Sequence, residues 1–165
     1  MGLAADGQGH LYVVDGTTKR VQVYDFEGAF LKSIGSDDIL ERPSGVAVNT
    51  DGSRIYSVDT GGVSSQSHSV HVFDGQGAHI FDIGTRGKEN AQFNLPLMAA
   101  VDPQGNLYVA DTGNFRVQIF DADGNFMRSF GGIGRRPGQF SHPKGIAIDA
   151  QGKVFVADSG FANFQ

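Results

Sequence analysis

Residues 98–131 read MAAVDPQGNLYVADTGNFRVQIFDADGNFMRSFG, and this stretch returns along the whole chain. Residues 2–35, GLAADGQGHLYVVDGTTKRVQVYDFEGAFLKSIG, match it closely. Residues 45–84, GVAVNTDGSRIYSVDTGGVSSQSHSVHVFDGQGAHIFDIG, match after an insertion. Residues 145–165, GIAIDAQGKVFVADSGFANFQ, match as far as they run. The marker aspartates Asp15, Asp59, Asp111 and Asp158 lie 44, 52 and 47 residues apart. A period of that size signals a solenoid, a propeller or an array of small units.

One repeat reads as four short strands separated by turns. In the clearest copies the strands are Gly145–Ile148, Leu107–Ala110, Val117–Phe120 and Phe126–Phe130. Asp-x-x-Gly recurs between strands one and two and between strands three and four. Glycine there supplies the positive φ of a short hairpin loop. The second strand is apolar at successive positions, the pattern of a strand covered on both faces. Ala4, Ala47, Ala100 and Ala147 hold the same place in the first strand of every copy. Small residues there suit strands that converge on an axis and must pack closely. The reading is all-β: a β-propeller of four-stranded antiparallel blades.

The bulk properties narrow the function. The chain has 165 residues, a net charge of -5 and no cysteine. Thiol catalysis, disulfides and thiolate metal sites are therefore excluded. The acidic balance argues against a general nucleic-acid binder, which needs a basic face to neutralise phosphates. No apolar run is long enough to span a membrane as a helix. No signal peptide is visible, because Met1 leads directly into the first repeat. The motifs G-x-S-x-G and HExxH are absent, and GGIG at Gly131–Gly134 neither follows a βαβ strand nor opens a helix.

GIAID, NLYVAD, DTGNFRVQIF and the linker GRRPGQFSHPKG resemble NHL repeats. The resemblance implies a propeller that closes with about six blades, within the general range of four to eight. The blades fall at residues 2–35, 45–84, 98–131 and 145–165, the last truncated, so this chain is expected to form an incomplete ring. The remainder of the propeller, or a second chain, is expected to complete it. The resemblance also implies a secreted or periplasmic setting. Some propellers that resemble these repeats are lyases, with a zinc-ligating histidine between the proline and the first-strand glycine. Here Ser44, Leu97 and Lys144 occupy that place, which argues against lyase chemistry; His142, before the proline, reads as a loop residue.

Internal repetition separates scaffold from function, since a single site needs each residue once. The four marker aspartates read as turn caps, and Arg20 and Arg116 as their ion-pair partners. The departures from the repeat carry the candidate site. The linkers between blades grade from acidic (Asp37, Asp38, Glu41) through mixed (Arg86, Lys88, Glu89) to basic (Arg135, Arg136, Lys144). The second blade carries five extra residues in DTGGVSSQSHSV, where His68 lies. A long loop on a rigid scaffold is a common place for binding. Arg86, Arg135, Arg136, Lys144 and His68 are thus the candidate contacts. The spacing of His68, His71 and His79 matches no standard zinc pattern, so no metal or other cofactor is assigned. Structural calcium and a channel metal lack support in the sequence. The sequence favours a non-catalytic binding or scaffold module recognising a protein, peptide, glycan or small anion. The alternative is a metal-dependent propeller enzyme of the lactonase or lyase type, and RNA recognition ranks third.

Overall fold

The computed structural model describes residues 2–62, 64–160 and 163–164. The first blade is β1 (Leu3–Ala5), β2 (Leu11–Asp15), β3 (Arg20–Tyr24) and β4 (Phe30–Ile34). The second is β5 (Pro43–Val48), β6 (Arg54–Asp59), β7 (Ser69–Asp74) and β8 (His79–Ile83). A short parallel pair, β9 (Thr85–Arg86) and β10 (Gln92–Phe93), lies in the linker that follows. The third blade is β11 (Pro96–Val101), β12 (Leu107–Asp111), β13 (Arg116–Phe120) and β14 (Phe126–Gly131), with a 3-10 turn at Thr112–Asn114. The fourth comprises β15 (Pro143–Ile148), β16 (Val154–Asp158) and β17 (Asn163–Phe164). Each blade is an antiparallel meander in sequence order. Phe164 pairs with Ala157 as Val117 pairs with Ala110, so the truncated copy keeps the register of the third. Gln165, the end of the truncated copy, lies outside the described residues.

The hairpins follow from one piece of local chemistry. In the turn at Asp121, Oδ1 accepts from the N–H groups of Asp123 and Asn125, at 3.0 and 2.8 Å. The Gly124 N–H closes the turn on the Asp121 carbonyl, with φ at 85°. Asp25, Asp74, Asp102 and Asp149 build the same loop. In the second, third and fourth blades the first strand begins two residues earlier than the sequence suggests, at the proline. Proline is tolerated as the opening residue of a strand. A bulge then follows at Ser44, Leu97 and Lys144.

The blades stack side by side around their first strands: β1 lies against β5, β5 against β11 and β11 against β15. This radial neighbourhood is what separates a propeller from a linear stack. Burial confirms it. Every residue of β12 is buried, because β12 is covered by the second blade on one face and the fourth on the other. In β2 burial alternates residue by residue, with Tyr12 and Val14 facing the second blade. Three apolar clusters fill the contacts. One centres on Val21, Val23, Ile55 and Phe73, one on Val70, Val72, Leu107 and Phe120, and one on Val117, Ile119 and Val156.

The closest approach at the axis is made by glycines rather than by the repeated alanines. A Cβ added at Gly2 would sit 2.7 Å from Gly45 Cα, and one at Gly45 would sit 2.4 Å from the Leu97 carbonyl oxygen. Ala4, Ala47, Ala100 and Ala147 instead line the axial cavity together.

Candidate functional site

The loops joining strands two and three share one face with the linkers between blades, and hydrogen bonds stitch the two sets together. The marker aspartates do most of this. Asp59 accepts from Gly61 N–H in its own turn at 2.8 Å. It also accepts from Glu41 and Arg42 N–H in the incoming linker, at 2.6 and 2.9 Å. Asp158 repeats the arrangement with Gly160, Ser141 and His142. Asp111 does not cap its turn through backbone N–H groups. Its carboxylate takes Asn94 N–H, Asn114 Nδ2, Arg116 Nε and Gln118 Nε2. Asp15 instead stays within its own hairpin, holding Thr17 and Thr18 N–H, with the Gln22 side chain of β3 as a further partner. The simple turn-cap reading therefore misses the main partner of three aspartates, a linker some 17 residues upstream.

Environment separates these carboxylates electrostatically. Burial pushes the Asp111 carboxyl up, and its hydrogen bonds to Asn94, Asn114 and Arg116 only partly offset this. At Asp59 burial acts in the same direction, but His71 and three backbone N–H groups outweigh it and hold the carboxyl below its ordinary value. Asp158 is held low by backbone donors against a burial effect.

A second set of struts runs from blade to blade. Thr60 Oγ1 donates to the Pro96 carbonyl and Thr112 Oγ1 to the Pro143 carbonyl, each at 2.6 Å. Gly16 takes the threonine place in the first blade. Arg116 pairs with Asp111 as expected from sequence, but Arg20 pairs instead with Asp37 in the first linker, at 2.7 Å.

The candidate contacts divide. Arg135, Arg136 and Lys144 are exposed. The same linker presents Ile133, which is 70% exposed. Arg86 is half-buried and donates to the Ser65 carbonyl at 2.9 Å, which ties the second linker to the long loop of the second blade. Ser65 Oγ also donates to the Glu41 carboxylate, so the long loop bridges the first and second linkers. His68 corrects the sequence reading as an exposed contact. It is fully buried, and its Nδ1 accepts from Leu95 N–H at 3.1 Å. The reason is packing: the extra residues fold back over the next linker and carry His68 inward. Arg42, exposed in the otherwise acidic first linker, was not singled out by charge counting. It lines a small cavity on this face with Ser44, Thr60 and Leu97.

Away from this face, the structure unites two of the three second-blade histidines. His71 Nδ1 and His79 Nε2 each lie 2.7 Å from Asp82 Oδ1. His68 is not part of this group. A cleft on the opposite, hairpin face holds the Asp6–His10–Tyr12 network. Burial there, with the Asp6 charge, pushes the Tyr12 hydroxyl up to about 12.

Antiparallel four-stranded sheets sharing an axis, with linkers and second-to-third-strand loops on one face, define β-propeller blades. Residues 93–120, which run from the end of the second linker through β13, match the NHL repeat. The third blade thus carries an NHL repeat, and the other blades share its turn and strand design. The chain is similar to hydrazine synthase of Kuenenia stuttgartiensis at 19% identity, over 94% of this chain and 40% of that one, with a TM-score of 0.70. It is similar to a nidogen/laminin complex at 20% identity, over 96% and 56%, with a TM-score of 0.71. A protein of unknown function from Bacteroides caccae is similar at 14% identity, over 99% and 54%, with a TM-score of 0.65. At these identities the likeness establishes the fold. The chain spans between 40% and 56% of the length of these structures. No curated protein matches its sequence. Among the described residues, no helix is long and apolar enough to cross a membrane.

Proposed function

We propose that this chain is a non-catalytic binding module whose linker face recognises a protein, or another ligand with an anionic surface. One observation carries the reading. The first and second linkers and the long second-blade loop are cross-braced, and Arg135, Arg136 and Lys144, which set the third linker apart from the others, are exposed on the same face. Ile133 beside Arg135 and Arg136 joins an apolar contact to two cations. Arginine with an apolar neighbour is a common composition for a recognition patch. One propeller architecture hosts unrelated activities, so the argument rests on the surface and not on the fold. A nidogen/laminin complex among the similar structures supports a protein as the ligand. The buried repeated aspartates serve the scaffold.

The same reading includes further blades, in this chain or a second one, against the open face of the first blade and that of the fourth. Val13 and Tyr24 are half-buried on the first of these faces, and Phe155 is 41% exposed on the second.

Affinity capture from the source organism, comparing the chain with its R135E/R136E variant, tests the proposal. The expected result is at least one partner retained by the parent and lost by the variant. Equal retention of every partner by both would overturn the assignment of the face.

A further inference from the structure

Internal repetition provides a control for every position of the second blade. Across β3 and β4 of the first blade, Gln22 pairs with Ser33, and Ser33 Oγ donates to Gln22 Oε1 at 2.7 Å. In the third blade Gln118 stands opposite Ser129 in the same register. In the second blade His71 stands opposite Asp82. The aromatic position Phe30 or Phe126, opposite the last third-strand residue, is His79. Three changes on neighbouring strands thus turn a Gln/Ser/Phe set into a His/Asp/His set. The ligating atoms of His71, His79 and Asp82 lie within 4.8 Å of one another.

We propose that His71, His79 and Asp82 bind a divalent transition-metal ion of the zinc class. Two imidazoles and a carboxylate are a borderline-hard donor set that suits zinc. The register explains why the three meet. His71 and Asp82 are direct cross-strand partners, and His79 precedes Asp82 by three residues across the bulge in β8. Tetrahedral zinc with Zn–N near 2.05 Å sets ligand atoms about 3.3 Å apart. Opening the two 2.7 Å contacts by about 0.6 Å, and bringing the two histidine nitrogens, now within 4.8 Å, to the same separation, requires movement of the exposed His79 and Asp82 side chains alone.

A supporting shell is already in place. His71 presents Nδ1 to Asp82, and its other nitrogen, Nε2, lies 3.3 Å from Ser69 Oγ and 3.7 Å from the Asp59 carboxylate. Metal-bound imidazoles characteristically turn their second nitrogen to such an acceptor, which fixes the tautomer and raises ligand basicity. Asp59 is itself held by the Glu41, Arg42 and Gly61 N–H groups, so the site is anchored to the linker scaffold. His71 is 7% exposed at its side chain and Asp82 48%. The buried ligand fixes the ion, and the exposed ones leave a coordination position open to water or to a donor from a partner.

Zinc chloride titrated into tag-free protein, with a chromophoric chelator as competitor, tests the proposal. One ion per chain with a Kd of about a micromolar or tighter is expected. The triple variant His71→Gln, His79→Phe, Asp82→Ser restores the residues of the other blades. It is expected to keep the wild-type circular dichroism and to bind zinc more than ~100-fold more weakly, and Ser69→Ala to weaken binding by up to ~10-fold. Wild-type protein that binds no zinc at 100-fold excess over that Kd, or a folded triple variant that binds equally well, would overturn it. If the triple variant does not fold, His79→Phe alone, at a partly exposed position, decides the question in the same way.

Discussion

Gly28, in a hairpin turn, and Gly84, after a fourth strand, both have positive φ, at 86° and 80°. Their surroundings differ. A Cβ at Gly84 would lie 2.4 Å from the Phe93 ring, whereas nothing lies within 4 Å of one at Gly28. Phe93, Phe140 and Leu40 are buried plugs from the linkers, each packed on the glycine that ends a fourth strand. Gly28→Ala is expected to cost about 1 kcal/mol, from the left-handed backbone alone. Gly84→Ala is expected to cost a further ~1–3 kcal/mol, because an already filled site is overpacked. Urea unfolding midpoints check the difference. The turn role of Gly28 is legible from Asp-x-x-Gly. The plug is not, because it depends on a linker folding back over the strand it has just left. Lys19 and Phe115, which take positive φ without being glycine, gave no local sign either.

At the level of elements, the aspartates that end second strands hold linkers in place. Asp111→Ala would take away the one carboxylate that faces Arg116 and leave Arg116 and Gln118 only the Glu89 and Gln92 carbonyls, and a cost of about 3–5 kcal/mol is expected from breaking such a buried pair. Asp15→Ala removes contacts within one hairpin and none to a linker, and should move the midpoint far less. The Thr60 and Thr112 struts suggest a gain as well. A Cβ at Gly16 would lie 3.8 Å from the Pro43 carbonyl oxygen. Gly16→Thr is expected to supply the missing strut and to stabilise by about 0.5–1.5 kcal/mol, read from thermal unfolding. The basic linker stood out in the sequence because Arg135, Arg136 and Lys144 depart from the other linkers. The His71–His79–Asp82 group did not. Its spacing matches no linear metal motif, and it forms only once the register of β7 on β8 is fixed.

For the whole molecule, acid stability follows from the carboxylates. Asp6, Asp15, Asp37, Asp51, Asp59, Asp74, Asp121 and Asp158 are held below the ordinary value of 3.8 in the folded chain. Their contribution is complete above that value and is lost as pH falls through the lower folded values. Asp111, held high, acts in the opposite sense, since its protonation relieves a buried charge. The eight outnumber the one, so stability is expected to hold from neutral pH down to about pH 4 and to fall below it. Denaturation followed across pH checks this. Light scattering tests the proposed further blades: association that covers the open faces is expected, and a compact monomer at all concentrations would contradict it.

The central claim is that the repeats are blades stacked around one axis, with the two middle blades covered on both faces. Amide hydrogen exchange resolved by strand tests this most directly. The account predicts that β6, β7, β12 and β13 exchange more slowly than β2, β3 and β16. Uniform exchange across the four sheets, or slower exchange in the first and fourth, would contradict it.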